Sequence, residues 1–274
     1  MRQSICRPRS TVRGHVSMLA FCEAVLNSRD IKEIWDLHCR EMAQFGFDRL
    51  IYAFSSLRTT NSFADLDDAL ILSNHSQAYL KDFLHSGKFR DAPMVNWAVN
   101  NDGARSWRWA GERASFTQLT PAEIDVIDIN NRHGVTAGYS IGFGDLSSRA
   151  HGAMGLVGQY GLSQDDVDQI WDENARVLLT MNRLVHQRIS TMPFATARRP
   201  LTNRQREVLE WVADGKTTAD IAVIMGLTSS TVEKHLRLAR EGLDVDTTAQ
   251  AVMKASLQKQ IFMTMPPYRG AISP

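Results

Sequence analysis

Asp220-Ile221-Ala222-Val223-Ile224-Met225-Gly226-Leu227-Thr228-Ser229-Ser230-Thr231-Val232-Glu233-Lys234-His235-Leu236-Arg237-Leu238-Ala239-Arg240 reads as two helices around a tight turn. Thr217 or Thr218 is placed to cap the first helix, its side-chain oxygen taking orphan amides of the first turn. That helix carries Ala219, Ile221, Ala222, Ile224 and Met225. It stops at Gly226, which tolerates the left-handed conformation of a helix end. Thr228 is placed to start the second helix, where Val232, Leu236, Ala239 and Leu243 recur as one apolar stripe. The opposite face shows Ser229, Ser230, Glu233, Lys234 and Arg237, a polar surface suited to the DNA major groove. An ordinary amphipathic helix pair in a larger helical protein has the same spacing, so the pattern alone leaves both readings open.

Working outward, Leu201-Thr202-Asn203-Arg204-Gln205-Arg206-Glu207-Val208-Leu209 leads into Trp211-Val212-Ala213-Asp214-Gly215-Lys216-Thr217. Asp220-Ile221-Ala222, Thr231-Val232, His235 and Gln250-Ala251-Val252 follow. This run closely resembles, at unbroken spacing, the four-helix DNA-binding domain of LuxR-type transcription factors. The resemblance implies a regulator that binds double-stranded DNA. Lys234 and Arg237 are the first choices for base or phosphate contact, with Ser229, Ser230 and Glu233 as further readers beside Thr228 and Thr231 at the helix start. Thr202, a hydroxyl at a helix start, and Lys216, a mobile cation, suit phosphate better. Gln205 stands where the family usually has Glu, Gly242 where it has Lys, and Thr248 where Arg is frequent. These departures leave the fold intact and the operator sequence open.

At 274 residues, with 43% hydrophobic content, the chain is long enough for two cores. The net charge of +1 hides an uneven distribution. Residues 1–13 carry four Arg and no acid, residues 14–182 carry 14 basic and 22 acidic residues, and residues 183–274 carry 13 basic and 8 acidic. A basic C-terminal third beside an acidic remainder fits a polyanion partner at one end. Cys6, Cys22 and Cys39 are odd in number and lack metal-ligand spacing, which suits a reducing cytoplasm. No apolar run of signal-peptide or membrane-spanning character is found, so a cytoplasmic location without membrane contact is expected.

Residues 1–14 read as a loose basic leader and Val16 to Leu26 as a helix. Asp30-Ile31-Lys32-Glu33 opens another with Ile31, Trp35, His38, Met42 and Phe45 on one face. Arg49 to Ser55 reads as a strand, Leu50, Tyr52 and Phe54 alternating with Ile51 and Ala53. Ala69 to Ser73 reads as a second strand, Ser76 to His85 and Ala92 to Val99 as helices, and residues 100–119 as a loop. Thr120-Pro121-Ala122-Glu123 starts a helix running to about Arg132. Ala137 to Phe143 and Gly152 to Gln159 make a strand pair, and Ser163 opens a long helix to about Ile189. This order predicts an α+β fold. Residues 15–190 form an α/β/α sandwich with an antiparallel sheet, residues 191–200 a linker, and residues 201–262 an all-α four-helix helix-turn-helix domain. Residues 263–274 read as a frayed tail.

The sequence shows no GxGxxG, P-loop, HExxH or GxSxG, so no enzymatic chemistry is expected. His133 and His151 are isolated and read as structural or surface residues in preference to metal ligands. Tyr52, Tyr79, Phe83, Trp97, Trp107 and Trp109 cluster in one half of the domain. They suit either a plain aromatic core or a pocket for a small amphipathic molecule.

Here too the chain resembles LuxR-type receptors, whose N-terminal domain binds an acyl-homoserine lactone. Anchoring the family motif on Pro93 places Trp107 on its second Trp, Tyr79 on its first Trp and Phe83 on its Tyr. Gly134-Val135 and Gly138 match its later glycine segment. In the family the first Trp donates to the lactone carbonyl and an Asp accepts from the amide. Here Ala92 falls on the Asp, and Asp91 stands one residue earlier. The resemblance implies Tyr52, Tyr79, Phe83, Asp91, Trp107 and Gly138 as ligand residues. It implies a long-chain lactone held by apolar contact, a different ligand, or none. The chain as a whole reads as a homodimeric quorum-sensing regulator, with Ser163–Ile189 and Thr247–Lys259 as dimer surfaces. A palindromic operator, a small signal molecule and RNA polymerase are its expected partners, with no metal or other cofactor. An orphan regulator that binds DNA without ligand is the first alternative, and an enzyme or sensor domain tethered to DNA the second.

Overall fold

The computed structural model describes residues 11–56, 68–116, 119–144, 149–195, 200–262 and 268–269. Strand β1 (Phe47–Ser55) pairs antiparallel with β2 (Leu70–Ser73) on one side and β5 (His151–Gly158) on the other. Beyond β5 lie β4 (Gly138–Gly144) and β3 (Gly103–Ser106), giving a five-stranded antiparallel sheet of order β2-β1-β5-β4-β3. Successive strand residues point to opposite faces. Leu50, Tyr52 and Phe54 therefore join one core, with Ile141, Phe143, Met154 and Leu156, under α1 (Thr11–Asn27), α2 (Ile31–Gln44) and α7 (Gln164–Ser190). Ile51 and Ala53 face a second core. Over it lie α3 (Gln77–Leu80), a π turn Lys81–His85, a 3₁₀ turn Lys88–Asp91, α4 (Pro93–Asn100) and α6 (Pro121–Arg132). The expected sandwich is thus present, with helices on both faces.

The helix starts follow from their caps. The Asp30 carboxylate accepts the Lys32 amide at 2.7 Å, and Thr120 with Glu123 and Ser163 with Asp166 close reciprocal capping boxes. Four readings need correction. Helix α1 begins at Thr11, inside the stretch read as a leader; residues 1–10 lie outside the described residues. The 100–119 loop contains β3 and a further helix, α5 (Arg108–Phe116). Their order comes from tertiary partners that periodicity cannot show: β3 pairs with β4, and Arg108 binds Asp165 and, at 2.7 Å through Nε, Asp168. The linker is partly core, because Phe194 is fully buried with its ring edge-on to Phe54 at 6.0 Å. Phe194–Ala195 also form a short strand, β6, parallel to β7 (Tyr268–Arg269) in the stretch read as a frayed tail.

The C-terminal domain is four helices, α8 (Asn203–Ala213), α9 (Thr218–Met225), α10 (Ser229–Leu243) and α11 (Thr248–Leu257). Thr202, Thr217, Thr228 and Thr247 cap them. Gln205 does the work of the Glu it replaces, its side-chain oxygen accepting the Thr202 amide at 2.8 Å. Gly226 ends α9 with φ +64°, in the left-handed region a Cβ disfavours. Val208, Leu209, Ile221, Val232, Leu236, Ala239, Leu243, Ala251 and Ala255 make the core.

One buried ion pair joins the two domains. Lys254 Nζ of α11 lies 2.8 Å from Asp68 Oδ2, just before β2, and Gln258 Nε2 donates to Asp68 Oδ1 at 3.3 Å. Both charged side chains are nearly solvent-free. Lys259 Nζ also donates to the Ser190 carbonyl at 2.9 Å, at the end of α7. Removing one partner of a buried pair strands the other charge. Lys254→Met is therefore expected to cost about 3 kcal/mol in chemical denaturation, and the double variant Asp68→Asn, Lys254→Met to recover most of that loss.

Candidate ligand cavity and DNA-facing helix

The second core is incompletely filled. A cavity of about 90 Å³ lies between the sheet and the layer of α3, the π turn and α4. Its floor is built from small side chains in cross-strand register: Ala53 opposite Ala153, Ile51 opposite Gly155, Gly155 opposite Ser140. Phe83, Leu84, Phe89, Met94, Val95 and Val99 form the apolar walls. Those walls are brought close by a glycine. A Cβ on Gly142 would stand 1.9 Å from the Asn101 carbonyl oxygen and 2.4 Å from that of Ala98, so only a bare backbone lets the end of α4 rest on β4.

The polar groups around the cavity are few. The Tyr79 hydroxyl donates to Asn130 Oδ1 of α6 at 3.0 Å, and burial holds its pKa above the ordinary value, so it stays a donor. The Trp107 indole N–H donates to Ser140 Oγ at 3.0 Å. His75 stacks on Tyr79 with ring centroids 4.5 Å apart, and Tyr79 stacks on Phe83 at 5.1 Å. Burial first, then the positive charge of Arg49 and His133, pulls the His75 pKa down to about 4, so its ring is neutral at neutral pH.

Three of the six expected ligand residues, Tyr79, Phe83 and Trp107, line the cavity together. Tyr52 does not. It belongs to the even-numbered set of β1 and faces the opposite core, its hydroxyl 3.0 Å from His186 Nδ1. Asp91 ends the 3₁₀ turn outside the lining, and Ala92 stands in its place. No bulge brings the carboxylate back. Gly138 shapes the wall without lining it. A Cβ there would lie 2.2 Å from the Leu156 carbonyl oxygen and 2.9 Å from the Trp107 ring. Trp97 and Trp109 instead flank the Arg105 guanidinium, at 5.7 and 4.6 Å. His133 and His151 hold structure, through Asp82 at 3.0 Å and the Ala98 carbonyl at 2.7 Å. Sequence reading missed His75, Asn130 and Ser140. His75 was legible, since it precedes Tyr79 and Phe83 at the four-residue spacing of one helical face.

On α10, Val232, Leu236, Ala239 and Leu243 are buried, and Ser229, Ser230, Glu233, Lys234 and Arg237 are exposed. Not all of the expected contacts are equally free. Thr228 caps the helix and shares hydrogen bonds with Ser230 and Thr231 at 3.0 and 2.9 Å, and Thr202 caps α8. Glu233 accepts from Thr218 Oγ1 at 2.9 Å, and Arg237 pairs with Glu241 at 2.5 Å. Among the described residues Lys216 and Lys234 have no ion-pair partner, leaving both ammonium groups available to phosphate or base edges.

An apolar cavity in one domain and a polar recognition helix in the other define a ligand-sensing, DNA-binding regulator. Residues 30–189 match the autoinducer binding domain, and residues 199–255 match the luxR family of bacterial regulatory proteins. The chain belongs to the LuxR family of quorum-sensing transcription regulators. The transcriptional activator AnoR of Acinetobacter nosocomialis is 26% identical over 240 residues, spanning 85% of this chain and 93% of that protein. The transcriptional activator LuxR of Aliivibrio fischeri is 24% identical over 246 residues, spanning 84% and 88%. Such proteins regulate transcription and are not enzymes. SdiA in complex with octanoyl-rac-glycerol shares the fold at a TM-score of 0.52 and 15% identity, covering 92% of this chain and 97% of that one. Escherichia coli SdiA in another crystal does so at 0.51 and 15%, covering 91% and 100%.

The tight packing at Gly138 sets a test of the cavity wall. Gly138→Ala is expected to cost about 2 kcal/mol, because backbone and Trp107 must both shift. It is also expected to shift Trp107 fluorescence, and an unchanged melting temperature and spectrum would contradict the close approach.

Proposed function

We propose that this protein is a cytoplasmic regulator that senses an N-acyl-homoserine lactone and binds a palindromic operator as a homodimer. The observation that carries this reading is the apolar cavity over β1, β4 and β5, with Tyr79, Phe83 and Trp107 in its wall. Its apolar lining favours an acyl chain. A cavity of about 90 Å³ accommodates a long chain only where flexible side chains such as Met94 move aside. Ligand binding to the folded state stabilises it by mass action, about 2.7 kcal/mol at a hundredfold excess over Kd. Among the described residues no helix is long and apolar enough to cross a membrane.

The inner face of α7 is spent on its own domain, through Val167, Trp171, Leu178, Met181 and Val185. What it offers a partner is the outer face with Val177; α11 offers Met253. Two-fold pairing would set two α10 helices about one DNA turn apart, with RNA polymerase as the further partner. A second reading, that the signal is not a lactone, is favoured by Ala92, which removes the acid from the wall. The acyl glycerol in the SdiA complex is one such non-lactone ligand, bound by that protein.

Native mass spectrometry with and without a panel of lactones of graded chain length tests the main reading. A retained lactone and a shift towards dimer are expected, whereas an unliganded dimer that binds DNA with unchanged affinity would sink it. On DNA, Lys234→Ala is expected to weaken binding and to lower the slope of log K against log salt by about one. An unchanged slope would remove Lys234 from the interface.

A further inference from the structure

His75 presents an unusual buried atom. Its residue is nine-tenths buried, it lines the cavity, and its Nε2 has no hydrogen-bond partner. A buried nitrogen left unpaired costs about 1–3 kcal/mol, and a ligand atom that pairs with it recovers that cost. The ring is held for the purpose, stacked on Tyr79 with planes 25° apart while the Tyr79 hydroxyl is tied to Asn130. The other polar side chains are each engaged at one atom: Asn130 Oδ1 accepts from Tyr79, and Ser140 Oγ accepts from Trp107, its own proton remaining to be donated. The lining contains no Asp or Glu.

We infer that His75 is the specificity-determining anchor for the ligand's polar head, and that the cavity takes neutral acyl compounds whether ester or amide. A carboxylate can only accept, so it selects a ligand with an N–H. A neutral imidazole nitrogen either donates or accepts, according to its tautomer, so Nε2 can meet a carbonyl, a hydroxyl or an amide N–H. Ser140, a second residue of the lining, supplies a donor for an acyl carbonyl. Nothing in the lining then demands an amide. Anionic ligands are disfavoured because the ring is neutral and the surrounding walls are apolar, so a carboxylate would enter without a counter-charge.

This inference rests on the acyl-ligand reading above, and its test separates the two. The full-length protein is titrated calorimetrically with N-octanoyl-homoserine lactone, with its ester analogue in which oxygen replaces the amide N–H, and with octanoate. His75→Phe and His75→Gln are compared, and melting temperatures establish that each variant is folded. The ester is expected to bind within about threefold of the amide, and octanoate far more weakly. His75→Phe is expected to weaken both neutral ligands at least about tenfold, the loss of one buried hydrogen bond, with partial recovery in His75→Gln. An amide preference beyond about thirtyfold, or unchanged binding in folded His75→Phe, overturns the role of His75 and leaves the acyl-ligand reading standing. Binding of neither neutral ligand to the native protein overturns both.

Discussion

The structure depends on one strand serving two cores. Because β1 alternates, Leu50, Tyr52 and Phe54 go to one side of the sheet and Ile51 and Ala53 to the other. The partner strands repeat the asymmetry in register. Tyr52 lies opposite Met154, which lies opposite Ile141, whereas Ala53 lies opposite Ala153, which lies opposite Gly142. Large residues close one face into a solid core beneath α1, α2 and α7. Small residues leave the other face short of volume, and a layer of short helices and turns cannot make up the difference. The cavity is a consequence of side-chain size along three strands. Protein interiors otherwise pack densely, so an apolar void of this kind is costly unless something fills it.

The same sheet places the cavity close to the DNA-binding domain. Ile71 of β2 lines the cavity, and Asp68, three residues earlier, holds Lys254 of α11. Cavity wall and interdomain ion pair thus belong to one short stretch of chain at the sheet edge. The pair is nearly dry, so its geometry matters more than that of the surface pairs elsewhere, such as Lys32–Asp36. Lys254 and Gln258 also commit one face of α11 to the N-terminal domain, leaving the face with Met253 outward.

Much of this was legible in the sequence where local rules decide. Capping residues marked α6, α7, α8 and α10, and the stripe of Val232, Leu236, Ala239 and Leu243 gave the buried side of the recognition helix. The misreadings have a common physical source, which is dependence on distant partners. Strand β3 is four residues held by its register with β4, and Phe194 is buried because Phe54 is there to receive it. Tyr52 is the instructive case. Its alternation with Ile51 and Ala53 was visible, but a sequence does not say which face of a strand carries the cavity. The small partners Ala153 and Gly155, opposite Ala53 and Ile51, decide that, and their register is a tertiary fact.

Asn130 and Ser140 were hidden for a different reason: neither is a residue type that announces a ligand site, and with His75 they come from a helix, a strand and a loop far apart in the chain. Their meeting also changes the electrostatics expected from the family motif. With Ala92 in the wall and Asp91 outside it, the cavity holds no carboxylate, and Arg49, tied to the His133, Gly134 and Gly158 carbonyls, adds positive potential at its margin. In that field a protonated His75 would be a buried cation without a partner, so the ring gives up its proton instead. Neutrality is what leaves Nε2 able to pair with either a donor or an acceptor. Apolar contact then sets how tightly a ligand is held, and a single imidazole nitrogen sets which way it faces.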